Sequence, residues 1–102
     1  MNKQGIKIHV KSDGEISTTP HRPVEPRNGV LEWKCDKKDY HFALNLGYNS
    51  PCEEEQYHAG PGGTITAKVR PDAPFGEYKY IIAVFKEGEF FIEDPRFIIR
   101  GG

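Results

Sequence analysis

The sequence predicts an all-β protein, an antiparallel sandwich of seven to eight strands with little or no helix. Two observations carry this. Eight prolines and eleven glycines are spread along 102 residues and cut the chain into short pieces. Between them lie short runs rich in Ile, Val, Phe and Tyr, and no ten-residue stretch keeps a helical apolar period without meeting a breaker. The length suits one domain over residues 1–102, large enough to bury a core without disulfides or a metal.

The first run, Ile6-Lys7-Ile8-His9-Val10-Lys11, alternates strictly, so Ile6, Ile8 and Val10 point inward. Ser12-Asp13-Gly14 is a turn, after which Glu15 to Thr18 can pair as a short strand. Pro20, Pro23 and Pro26 recur every third residue. Proline cannot donate to a ladder, so this segment is an edge or an extended connection. The same period would also suit polyproline II recognition. Asn28-Gly29 turns the chain into Val30 to Asp36, where Leu31, Trp33 and Cys35 share a face. Trp33, the only tryptophan, is a core anchor. Tyr40, Phe42, Leu44 and Leu46 then share the inner face of the following strand.

From Gly47 to Gly63 strand patterning disappears, as in functional or mobile loops. Cys52 to Tyr57 in its middle suits about one helical turn. Thr64 to Arg70 is a clear strand with Ile65, Ala67 and Val69 inward. Glu77 to Lys86 gives the longest strand signal. Tyr78, Tyr80, Ile82 and Val84 make one face, and Ile81, Ala83 and Phe85 make the other apolar as well. A strand apolar on both sides is covered twice or meets a partner. Gly88 turns a hairpin into Phe90-Phe91-Ile92, and Arg96 to Arg100 closes the fold.

Composition excludes several functions. The net charge is -1 and the longest run of one sign is Glu53-Glu54-Glu55. A nucleic-acid partner calls for a basic stripe, and an anionic membrane for a polybasic patch. Neither is present. The first residues carry no apolar leader and no run is long enough to span a bilayer, so a cytoplasmic protein with reduced Cys35 and Cys52 is expected.

Two stretches resemble the cupredoxin-like sandwich family. Val30-Leu31-Glu32-Trp33 through Asp39-Tyr40-His41-Phe42-Ala43-Leu44 is similar to the strand pair that leads into the family's first copper-binding histidine. Thr64-Ile65-Thr66-Ala67-Lys68-Val69 through Ala73-Pro74-Phe75-Gly76-Glu77-Tyr78-Lys79-Tyr80 is similar to the strand, loop and Gly-x-Tyr-x-Tyr strand that precede its copper loop. The resemblance implies a cupredoxin-like Greek-key sandwich. A type 1 copper site needs two histidines, a cysteine and a weak axial methionine. Here Ile81 to Ile92 holds no Cys, His or Met, and only His41 stands where the pattern places a ligand. The resemblance therefore implies a copper-free relative. An immunoglobulin-like sandwich would change the strand order only.

Other constellations stay open beside their structural readings. Cys35 and His41, then Cys52 and His58, repeat a C-x5-H spacing that offers zinc or copper two thiolates and two imidazoles. The structural reading is a buried thiol, a surface imidazole and two loop residues. A Cys-His pair built on Cys52 would need a thiolate beside a base. Adjacent carboxylates at Glu53 to Glu55 splay apart and read as solvated. Without a catalytic set, the expected protein is not an enzyme and carries no cofactor. It is a binding or assembly module that docks another protein or a second copy of itself. The expected contact residues are Ile81, Ala83 and Phe85 on the doubly apolar strand and Tyr48 and Tyr57 in the long loop.

Overall fold

The computed structural model describes residues 2–101. Among them there is no helix, and eleven strands form three sheets. The all-β expectation holds, with more strands than the seven to eight expected. The strands are β1 (Lys3–Val10), β2 (Ile16–Thr19), β3 (Val24–Pro26), β4 (Val30–Cys35), β5 (His41–Asn45) and β6 (Gln56–Ala59). They continue as β7 (Thr64–Lys68), β8 (Gly76–Lys79), β9 (Ile81–Lys86), β10 (Glu89–Glu93) and β11 (Arg96–Arg100).

One sheet runs β2-β1-β4-β7, a second β10-β9-β5-β6, and a third β3-β11-β8. The pairing is not wholly antiparallel. β1 lies parallel to β4, with Ile6 beside Trp33, and β11 lies parallel to β3, with Ile98 beside Val24. The proline-spaced segment thus becomes an edge, as its missing donors require: β3 is the outer strand of its sheet and pairs only with β11.

The expected strand from Glu77 to Lys86 breaks at Tyr80. β8 pairs with β11, whereas β9 pairs with β5 and β10. The two halves belong to one hairpin that bends at a corner, and its register is the same on both sides: Ile82 opposes Glu93 before the bend and Lys79 opposes Arg96 after it. The Tyr80 N–H donates to the Pro95 carbonyl at 3.1 Å and ties the two bends together. The second and third sheets are therefore joined end to end and face the first across one core.

That core draws on all three sheets. Ile8, Leu31, Trp33 and Ala67 come from the first, Phe42, Leu44, Ile82 and Val84 from the second, and Phe97 and Ile99 from the third, all fully or almost fully buried. Trp33 sits at the junction, with its ring centroid 5.7 Å from Tyr80 and 6.4 Å from Phe97, both edge-on. Side chains of this size supply much of the burial that holds such a domain together.

The expected helical turn over Cys52 to Tyr57 is absent. Cys52 forms an antiparallel bridge with Val69, and the Arg70 N–H donates to the Pro51 carbonyl at 2.8 Å. Ser50 Oγ donates to the Glu54 carbonyl at 2.7 Å. The chain then enters β6, which pairs with β5. The segment is thus stitched to the sandwich by backbone hydrogen bonds.

Candidate functional site

The two outer surfaces of the sandwich differ in chemistry. Alternation along the first sheet turns Lys3, Lys7 and His9 of β1, Ser17 and Thr19 of β2, Glu32 and Lys34 of β4, and Thr64, Thr66 and Lys68 of β7 outward. Val30 is the apolar exception. This is an ordinary hydrated face.

The second sheet presents the opposite. Its register aligns the outward side chains in three rows across the strands. Phe90, Phe85 and His41 form one row, and Ile92, Ala83, Ala43 and His58 the next. Ile81, Asn45 and Gln56 form the third. No Asp, Glu, Lys or Arg is among them. Phe90 is 60% exposed, Ile92 57% and Ile81 44%. On a sheet whose other face already fills the core, such residues have no folding role that keeps them apolar.

The rings on this face pack on one another. His41 and Phe85 stack with centroids 5.1 Å apart and planes 9° apart. His58 leans across from β6 to lie 5.7 Å from His41 and 6.0 Å from Phe85, again nearly parallel. Phe90 extends the cluster 6.4 Å beyond Phe85. His41 Nδ1 is buried there without a hydrogen-bond partner. Beside the rings, the small side chains of Ala43 and Ala83 leave a depression of about 460 Å³ that Ile81, Gln56 and His58 border.

Charge stands at the rim. Lys86 Nζ lies 2.8 Å from Asp39 Oδ2, which raises the ammonium pKa and lowers that of the carboxyl. The Tyr40 hydroxyl donates to Glu89 Oε1 at 3.0 Å, and that carboxylate acceptor raises the phenol pKa. These contacts tie the turn before β5 to the β9–β10 hairpin and steady the aromatic row between them.

The structure places the expected residues as follows. Ile81, Ala83 and Phe85 lie on the outer face. Tyr48 is 84% exposed in the loop before Ser50. Tyr57 points the other way: it opposes Leu44 in the register and packs against the core. Burial pushes its phenol up to about 12, and its oxygen accepts from the Glu54 N–H at 3.0 Å. Sequence reading missed Ile92, Ala43 and the pairing of the two histidines. They join the face only through cross-strand register, which no single run of sequence displays.

The quartet Cys35, His41, Cys52 and His58 does not converge. Only His41 and His58 meet. Cys35 ends β4 on the first sheet, and Cys52 is buried beside Val69, next to the opposite end of that strand. Among the described residues, no three His, Cys, Asp or Glu side chains gather in a metal-binding arrangement. Both cysteines are free, and burial pushes both thiols up, Cys52 to about 12. Neither is therefore poised as the thiolate that nucleophilic chemistry requires.

No family model matches this chain, and no curated protein matches it. Among the described residues, no helix is long and apolar enough to cross a membrane.

Proposed function

We propose that this protein is a non-enzymatic binding or assembly module that docks a protein through the outer face of the β10-β9-β5-β6 sheet. The carrying observation is the contrast between the two outer surfaces: one is Lys- and Thr-rich, the other lacks Asp, Glu, Lys and Arg and joins Phe90, Phe85, His41 and His58 in one ring cluster. Apolar surface of this kind gains free energy when it leaves water, and aromatic side chains dominate protein interfaces. The pair of free, buried-shifted thiols suits a reducing cytoplasm. A copper-free cupredoxin-like sandwich remains the family reading that the sequence suggests, resting on the two quoted stretches.

Ile92→Lys puts an ammonium on the β10 side of the exposed face, and Lys34→Glu changes charge on the opposite surface. Cross-linking of the intact chain to other proteins in a cell lysate should lose its products in Ile92→Lys and retain them in Lys34→Glu. Equal cross-linking by both variants, with unchanged circular dichroism, would overturn the reading.

A further inference from the structure

We infer that the occupant of this face is a second copy of the same chain, apposed face to face about a two-fold axis. The inference rests on the docking reading above and adds the partner's identity.

Three observations point to a like partner. First, the three outward rows hold no Asp, Glu, Lys or Arg, and the rim charges are already engaged, Lys86 by Asp39 and Glu89 by the Tyr40 hydroxyl. A charged partner surface would lose its hydration there without gaining a counter-charge, which is costly. A copy of the same face brings no such charge and no like-charge clash. Second, the opposite surface, with Lys7, Lys34 and Lys68, would have to strip water from several ammonium groups to lie on the aromatic face. Head-to-tail stacking is disfavoured by that cost. Self-pairing of the same patch is isologous and closes at two copies.

Third, the size is adequate. Four strands about 4.8 Å apart and five residues long cover roughly 300 Å² in plan, or roughly 500 Å² with side-chain relief. Two such faces together bury roughly 1,000 Å², the lower end for a specific interface. The dimer is therefore a weak one that forms with rising concentration.

The free edge of β10 is an unsuitable alternative route. The strand reads Glu89-Phe90-Phe91-Ile92-Glu93. Antiparallel pairing with its own copy about Phe91 sets Glu89 opposite Glu93, a repulsive arrangement that guards the edge.

Sedimentation velocity of the full chain across a wide concentration range tests the inference. A reversible monomer-dimer equilibrium is expected. Ile92→Lys and Phe90→Lys should each weaken it roughly tenfold or more, and Lys34→Glu should leave it unchanged. Since both substituted positions are more than half exposed, the variants should keep the wild-type circular dichroism. A wild-type chain that stays monomeric at every concentration would overturn the second copy as occupant. It would leave the docking reading to stand or fall on the cross-linking result. A dimer insensitive to both face variants would place the contact elsewhere and overturn both.

Discussion

The indole N–H of Trp33 donates to the hydroxyl oxygen of Tyr80 at 3.0 Å inside the core. It joins the central strand of the first sheet to the corner where the long hairpin passes between the other two. Tyr80→Phe keeps the ring and removes the acceptor, leaving the indole donor buried and unpaired. The expected loss is roughly 1–3 kcal/mol. Urea unfolding followed by the fluorescence of Trp33, the sole tryptophan, measures it. A variant as stable as the parent would show that the indole finds another acceptor.

Two buried acids, Cys52 and Tyr80, and the half-buried Tyr57 set the alkaline limit. Desolvation raises Cys52 from 9.0 to about 12, and Tyr57 and Tyr80 from 10.0 to about 12. For each the native state holds its proton to higher pH than the unfolded state. Their contribution is neutral below pH 9, and stability is then lost as pH climbs from 9 to about 12. Melting temperatures should fall steadily through that window. Cys52→Ala should delay the onset, because the thiol is the first of the three to ionise in the unfolded chain.

Glu25 works in the opposite part of the scale. It is only 4% exposed, its Oε2 lacks a hydrogen-bond partner, and desolvation raises its pKa above 4.5 despite the Val30 and Gln4 N–H groups and the Arg100 charge nearby. A raised carboxyl binds its proton more tightly in the folded state, so stability declines as pH rises through this window. Glu25→Gln should therefore be more stable than the parent at pH 7, with the advantage shrinking toward pH 4. Paired thermal melts at the two pH values test this. Lower stability at pH 7 would mean that the attraction of Arg100 outweighs the cost of burial.

Gly14 turns the chain between β1 and β2 with φ at 90°, and a Cβ there would run into the Phe91 ring. Gly14→Ala should cost about 1–3 kcal/mol from backbone strain, with further loss from the ring contact. The second part should shrink in a Phe91→Leu background. Equal costs in both backgrounds, by chemical denaturation, would assign the whole effect to the backbone.

Much of the fold was readable because alternation is a local property. Ile6-Ile8-Val10, Leu31-Trp33, Phe42-Leu44 and Ile65-Ala67-Val69 all face the core as their spacing requires. The corner at Tyr80 was not readable, since Tyr78, Tyr80 and Ile82 keep their parity through the bend and only the change of partner strand reveals it. β6 escaped notice because Gln56-Tyr57-His58-Ala59 has little apolar contrast. Ile81, Ala83 and Phe85 announced the outer face because their strand is apolar on both sides. Its remaining members sit on three other strands, and their convergence depends on pairing across the sheet.

The bent hairpin bears on the order in which the chain can fold. Residues 76–100 are contiguous, and one turn at Gly88 starts pairing that zips past the corner into both sheets without a change of register. Such nearest-neighbour closure is fast, whereas joining Val24 to Ile98 must gather chain ends separated by most of the sequence. The ribbon is thus placed to act as the nucleus, and the parallel seams at β3 and β4 as the late steps that lock it.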